Sequence, residues 1–143
     1  MGRFTDIALD LYEMPKPVVA KVDGVAASIG DLEVDDPTGD ARVLVLGWGS
    51  TYGPNLAAVR RLRAEGKSVA HAHLRHLNPF PANTGEVLAR YERVIVPEMN
   101  LGQLAMLLRA KYLVDVRSHT SVRGLPFKVV DLAEVIDAAL EEV

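Results

Sequence analysis

The 143 residues are 49% hydrophobic, enough for one domain with a real core, and their formal net charge of −3 argues against a general nucleic-acid-binding role. The chain contains no cysteine, which excludes disulfides and the thiolate ligation of zinc or of an iron–sulfur cluster within it. Apolar runs stay well short of the ~20 residues of a membrane span. The first residues lack the apolar region of a signal peptide, so a cytoplasmic protein with no membrane partner is expected.

The first part of the chain, residues 1–40, is predicted to form an N-terminal arm, a helix and a linker. Residues 2–15 are too short to hold a core of their own, and residues 16–29 carry valine and isoleucine at helical spacing. Residues 30–40 are acidic and contain proline and glycine, which is typical of a linker. The domain proper is therefore predicted over residues 41–143.

The stretch from Ala41 to Ala58 indicates a strand, a glycine-rich turn and a helix. A branched apolar run is typical of a strand buried on both faces, and Gly47, Gly49 and Gly53 follow it. Such a turn directs backbone N–H groups and the positive end of a helix dipole at one point, which favours an anion. The spacing matches neither the dinucleotide fingerprint nor the phosphate-binding loop. A tight connection that needs glycine for steric reasons alone stays open as the alternative.

The remaining elements alternate in the same way. Strands are predicted at residues 68–74, 93–97 and 112–116, with a polar loop at residues 119–128. Helices are predicted to begin at Asn83, Asn100 and Asp131, each of which has Glu or Gln three residues later, as in a capping box. Strands that alternate with helices through short connections predict an α/β domain with a mainly parallel sheet and helices on both faces.

Polar side chains next to the predicted strand ends form the candidate site. Ser50 and Thr51 either cap the helix or hold a phosphate or carboxylate. Arg75 either faces the same crevice or forms a salt bridge with a loop acid. Glu98 is the carboxylate best placed for a site, although a solvated surface acid is the simpler explanation. The candidate anion or cofactor crevice comprises Gly49, Ser50, Thr51, Gly53, Arg75 and Asn100, the last expected mainly as a helix cap.

Histidines and the single tryptophan allow further interpretations. His71 and His73 share a strand face and, with His76, suggest a metal, but the sequence signals no third convergent ligand. No metal site is therefore predicted, and these side chains are expected to pack or to form hydrogen bonds. Trp48 either covers the glycine turn or contributes to a subunit interface. No Ser/His/Asp arrangement or carboxylate pair stands out, so no catalytic residue is predicted.

Three stretches together resemble the C-terminal part of the α subunit of 2-oxoacid:ferredoxin oxidoreductases, especially the 2-oxoglutarate type. They are residues 46–53 (LGWGSTYG), 73–81 (HLRHLNPFP) and 96–104 (VPEMNLGQL). Arg75 and Pro79 also fit an Arg-x-x-x-Pro pattern of the transketolase C-terminal domain. The resemblance implies a three-layer α/β/α sandwich with a mainly parallel sheet of about five strands, one of them antiparallel.

The resemblance also implies a function. Such enzymes decarboxylate a 2-oxoacid on thiamine diphosphate and magnesium, pass electrons through iron–sulfur clusters to ferredoxin, and form an acyl-coenzyme A. The cluster cysteines and the thiamine-activating region have no counterpart here. The chain is therefore expected to be a structural and assembly domain, inactive alone, whose partners are the remaining α-subunit domains and the β subunit. A stand-alone small-molecule module that binds an anion is the alternative.

Overall fold

The computed structural model describes residues 28–143, so the predicted arm and most of the predicted N-terminal helix lie outside the described residues. Within this range the strands are β1 (Val34–Asp35), β2 (Val43–Trp48), β3 (Ala70–Leu74), β4 (Arg93–Glu98) and β5 (Val116–Thr120). The helices are α1 (Tyr52–Ala64), α2 (Thr84–Ala89), α3 (Gln103–Tyr112) and α4 (Val129–Glu141), and a short 3₁₀ turn (Gly49–Thr51) precedes α1. None of these helices is long and apolar enough to cross a bilayer.

The strands form one sheet in the order β1-β3-β2-β4-β5. All neighbouring strands pair in parallel except β1, which runs antiparallel to β3. Residues of β2 alternate between the two faces, and each face is covered by helices. One core cluster joins β2 and β4 to α2 and α3, and a second joins them to α1 and α4. The predicted three-layer fold with one antiparallel strand is confirmed.

The segment predicted as a linker contributes the edge strand β1, and specific contacts hold it in place. Leu32 is buried in the core, and its main-chain N–H and C=O bond the side-chain amide of Asn83 at 2.7 and 3.1 Å. The Arg63 guanidinium donates to the Asp35 carboxylate and main-chain carbonyl and to the carbonyl of Val69. Local composition does not reveal this strand, because distant side chains supply much of its support.

Two predicted boundaries differ from the structure in the last third of the chain. A strand was expected at residues 112–116, but α3 continues to Tyr112 and the strand begins at Val116. Leu113 ends the helix in the left-handed conformation, with a φ of 55°, a position that usually takes glycine. Asp131 does not cap α4, because the helix begins at Val129 and places Asp131 in its first turn.

Candidate functional site

The carboxyl ends of β2 and β4 meet at the point where the strand order reverses. From β2 the chain passes to β3 on one side and later returns to β4 on the other, and in open α/β sheets such a point is where ligands bind. The two loops that leave these strands lie against each other, since the Ser50 hydroxyl oxygen is 3.8 Å from the Met99 sulfur. The glycine turn therefore forms one wall of this crevice.

Of the Ser50 and Thr51 hydroxyls in the glycine turn, that of Thr51 forms hydrogen bonds within the turn. Thr51 is buried, and its Oγ1 donates to the Trp48 carbonyl at 2.8 Å and accepts from the Trp48 N–H at 3.2 Å. Trp48 packs against the core cluster on the α2/α3 face. Gly49 has a φ of 59°, and Gly49, Ser50 and Gly53 are exposed. The turn thus presents Ser50 and nearby main chain outward while Thr51 fixes its shape.

Gly47 is required by close packing beneath the turn. A Cβ at this position would lie 2.5 Å from Asn55 Nδ2, 2.9 Å from His73 Nδ1 and 3.1 Å from Thr51 Oγ1. Asn55 is fully buried, and the Oδ1 of Asn55 and the Nδ1 of His73 have no hydrogen-bond partner among residues 28–143. Glycine therefore makes room for a compact polar cluster of Thr51, Asn55 and His73 at the carboxyl end of β2.

The predicted shared face of His71 and His73 is occupied by the ring of Tyr52. The Tyr52 ring centroid lies 5.7 Å from that of His71 and 5.1 Å from that of His73. Burial lowers the pKa of His71 to about 4, and the charge of His73 acts in the same direction. Burial, followed by the charge of Arg75, also lowers the pKa of His73, although a backbone hydrogen bond at Gly49 opposes the shift. Burial therefore favours the neutral form of both imidazoles.

Arg75 opens onto a cleft beside the edge strand. The cleft has a volume of about 950 Å³, and its walls come from residues 30–35, Pro81 and the side chains of Tyr52, His71, His73, Arg75 and His76. Arg75 is exposed, and residues 28–143 offer it no ion-pair partner at salt-bridge distance. The loop-acid salt bridge considered for Arg75 is thus not formed within this part of the chain.

Glu98 is not the solvated surface acid that the simpler interpretation suggested. It is fully buried, and its carboxylate accepts the N–H groups of Leu104 at 2.8 Å and Ala105 at 3.0 Å, together with the Ser118 hydroxyl at 3.2 Å. The first N–H groups of a helix have no intrahelical partner, so a carboxylate placed there satisfies them and also suits the helix dipole. Glu98 therefore anchors α3 to β4 and β5.

Asn100 also serves the start of α3, but from outside the predicted position. The N-cap residue is Gly102, with a φ of 90°. The Asn100 Oδ1 accepts the N–H groups of Gly102 at 2.7 Å and Gln103 at 3.1 Å. The expected capping role is thus performed two residues before the helix boundary, because Gly102 takes the left-handed conformation that makes the turn.

The structure distributes the predicted site residues over two neighbouring places. Gly49, Ser50 and Thr51 lie at the switch point, whereas Arg75 opens onto the neighbouring cleft, which Tyr52 and His73 also line. Within residues 28–143, no group of three or more His, Asp or Glu side chains is arranged to hold a metal ion. The contacts of Tyr52 and Asn55 in the site were not predicted from the sequence. Asn55 shares the buried face of α1 with Ala58, Val59 and Leu62, so its spacing could have predicted its burial.

Comparison with known proteins gives one family for most of the chain. The family model described as pyruvate:ferredoxin oxidoreductase core domain II matches residues 41–138. The 2-oxoglutarate oxidoreductase subunit KorA of Mycobacterium tuberculosis is 61% identical over 121 residues, which cover 85% of this chain and 18% of that protein. The matched part of this chain therefore spans less than a fifth of the length of that relative.

Two solved structures that resemble this chain are a 2-oxoglutarate:ferredoxin oxidoreductase and a transketolase. The 2-oxoglutarate:ferredoxin oxidoreductase of Magnetococcus marinus, solved with 2-oxoglutarate, coenzyme A and succinyl-CoA bound, matches 82% of this chain and 21% of its own, with 32% identity and a TM-score of 0.76. A split-gene transketolase, described as an inactive β4 tetramer, matches 76% of this chain and 41% of its own, with a TM-score of 0.56 and 20% identity, which shows the fold alone.

Proposed function

The chain belongs to the pyruvate:ferredoxin oxidoreductase core domain II family, and on that basis we propose that it is a structural and assembly domain of an α subunit of a 2-oxoacid:ferredoxin oxidoreductase. In this proposal the whole enzyme is of the 2-oxoglutarate type. It converts the 2-oxoacid and coenzyme A to an acyl-coenzyme A while ferredoxin is reduced. The remaining α-subunit domains and a β subunit are its partners, and the enzyme is cytoplasmic. The observation that carries the proposal is the 61% identity to the M. tuberculosis subunit over 121 residues.

The residues of this chain do not fit the redox cofactors of such an enzyme. Iron–sulfur clusters are held mainly by cysteine thiolates, and the 143 residues contain no cysteine. The thiamine-activating region that the family resemblance implies has no counterpart among these residues either. The proposal therefore assigns thiamine diphosphate, magnesium and the clusters to other parts of the enzyme, and assigns no catalytic step to this domain.

A graft into the relative tests the proposal. In the M. tuberculosis α subunit, the aligned 121 residues are replaced by the matching residues of this chain, and the chimaera is produced with its β partner. We expect 2-oxoglutarate- and coenzyme A-dependent ferredoxin reduction within about tenfold of the unaltered enzyme, since buried positions tolerate substitutions that conserve volume and pattern.

Two controls complete this experiment. A subunit in which the same 121 residues are deleted should lose assembly and activity, and the 143-residue chain by itself should reduce no dye when supplied with 2-oxoglutarate, thiamine diphosphate and magnesium. A chimaera that assembles fully but has no activity would contradict the proposed function. Turnover by the purified chain alone would contradict the assignment of a non-catalytic domain.

The alternative function, binding of a small anion, is supported by the exposed glycine turn and by the Arg75 guanidinium, which has no ion-pair partner in the described part of the chain. The candidate residues remain Gly49, Ser50, Thr51, Gly53, Arg75 and Asn100, although the side-chain oxygens of Thr51 and Asn100 already serve internal hydrogen bonds. An anion at the turn would therefore be held by the main chain of residues 49–53 and the Ser50 hydroxyl, with the Arg75 side chain reaching it from the neighbouring cleft.

Amide chemical shifts test this alternative directly. Titration with inorganic phosphate should move the signals of residues 49–53 and of Arg75, and Arg75→Ala should abolish the shifts. Arg123→Ala changes an arginine that is also exposed but lies in the loop after β5, and it should leave them unchanged. Absence of clustered shifts at millimolar phosphate would leave the turn as a structural connection.

A further inference from the structure

Exposed apolar side chains are concentrated at the carboxyl edge of the sheet. Leu101, in the loop after β4, is 83% exposed, and Val122 and Leu125, in the loop after β5, are 66% and 68% exposed. Met106 lies one turn into α3 and is also exposed. These four residues are called the carboxyl-edge patch below. Side chains of this kind are usually buried, and exposed apolar side chains that lie together mark an interaction site more often than scattered ones do.

The strand pairing brings the loops that carry Leu101 and Val122 to neighbouring places. Glu98 and Thr120 are partners at the carboxyl ends of β4 and β5. The Ser121 N–H donates to the Glu98 carbonyl at 2.9 Å, which extends this pairing into the second loop. Gly102 lies against the Ser118 and Thr120 side chains. The loop that carries Leu101 therefore lies beside the loop that carries Val122.

The opposite edge of the sheet has another character. Arg42 pairs with Glu92, and Arg93 with Asp115, where the strands begin. Arg117 pairs with Glu142 at the end of α4. In the described residues, no ion pair involves the loops at residues 99–102 and 121–128. Ion pairs are thus concentrated at the opposite edge, whereas the two loops at the carboxyl edge expose apolar side chains.

We propose that the carboxyl-edge patch docks against the other domains of the same α subunit, an inference that rests on the proposed function. Two relatives of this chain are roughly four to five times as long, since the matched residues cover only 18% and 21% of them. The rest of the polypeptide is joined covalently to this domain, and a tethered neighbour has a high effective concentration. The other domains of the subunit are therefore the neighbour that we assign to this surface.

Backbone hydrogen exchange of the patch tests the docking. Exchange in peptides covering residues 99–104 and 121–127 is compared between the purified 143-residue chain and the full-length chimaera without its β partner. Docking should slow exchange of these peptides at least tenfold in the chimaera, whereas a peptide covering residues 113–115 at the opposite edge should exchange equally in both. Equal exchange of the patch in both proteins, or protection of the opposite edge instead, would overturn the proposal.

Variants extend the test to the side chains. Leu101→Asp with Val122→Asp should leave the melting temperature of the isolated chain within a few degrees, because exposed positions are tolerant, and should abolish the protection in the chimaera. Leu113→Asp is the matched control at the opposite edge and should leave the protection of the patch peptides unchanged. If the isolated chain forms a dimer that the double variant dissociates, a second copy is the occupant and the proposal is wrong.

Two further outcomes are decisive. Protection that appears only after the β partner is added would identify the β subunit as the occupant and would also overturn the proposal. If the graft does not fold, the same exchange comparison is made with the M. tuberculosis subunit and its own excised 121 residues. An active chimaera with an unprotected patch would leave the proposed function standing while refuting the docking surface.

Discussion

The two edges of the sheet use the same polar residue types in opposite ways. At the carboxyl edge Glu98 is fully buried and accepts three internal hydrogen bonds. At the amino edge Glu92 is half exposed and forms a two-bond ion pair with Arg42. The difference shows that the role of an acid depends on the number of orphaned N–H groups near it, and the sequence neighbours of the two residues do not reveal that number.

The largest effect is expected from truncating the buried acid. Glu98→Ala leaves the N–H groups of Leu104 and Ala105 buried without partners, and each such loss costs roughly 1–3 kcal/mol. We therefore expect the free energy of unfolding to fall by about 3 kcal/mol or more, measured by urea denaturation. Glu92→Ala is the control, and its loss should stay below ~1 kcal/mol because the pair is exposed. Equal losses for the two variants would remove the contrast between the edges.

A pH dependence is expected from the histidines under Tyr52. The pKa of His71 is about 4 in the folded chain, below its ordinary value of 6.5, because burial disfavours the charged form. The unfolded chain therefore binds more protons between these pH values, so the stability contributed by neutral His71 is present above pH 6.5 and is lost as the pH falls toward 4. The loss approaches at most roughly 3 kcal/mol, at about 1.4 kcal/mol for each pKa unit.

Denaturation curves at several pH values check this expectation. His71→Gln should flatten much of the fall in stability, and the remaining slope should reflect His73 and His119, whose pKa values burial also lowers. His76→Gln changes an exposed histidine of the same cleft and serves as the control. A His71→Gln chain that keeps the full slope would show that His71 is not the group responsible.

Steric crowding beneath the glycine turn predicts the next effect. Gly47→Ala adds a Cβ against Asn55 and His73, and overpacking of this kind costs about 1–3 kcal/mol. Gly53→Ala is the matched change in α1, where no atom of residues 28–143 lies within 4 Å of the added carbon. It should raise stability by up to about 1 kcal/mol, because alanine favours the helix. A neutral Gly47→Ala in thermal melts would show that the polar cluster is loosely packed.

Most of the fold follows from the sequence, whereas much of the carboxyl edge does not. Apolar runs and helical spacing predict β2, α1 and the layered sheet, because each depends on local pattern. The strand β1 depends on Asn83 and Arg63, which are far from it in sequence. The burial of Glu98 likewise depends on where α3 begins relative to β4. The order of elements along the chain predicts which residues lie at the carboxyl edge of the sheet. Which of their polar groups form hydrogen bonds within the domain depends on tertiary packing.

The smallest effect is expected at the amino edge, where Leu113 ends α3. Its φ of 55° is costly for a residue with a Cβ, and its side chain is 89% exposed, so little packing would be lost on removal. Leu113→Gly should therefore raise the free energy of unfolding by about 0.5–1 kcal/mol, after the greater freedom of glycine in the unfolded chain is subtracted. Leu107→Gly is the control, since it places glycine inside α3 and should destabilise. A melting temperature of Leu113→Gly at or below that of the unaltered chain would contradict this expectation. It would mean that the Leu113 side chain makes an apolar contact at the amino edge that stabilises the fold by more than the backbone strain costs.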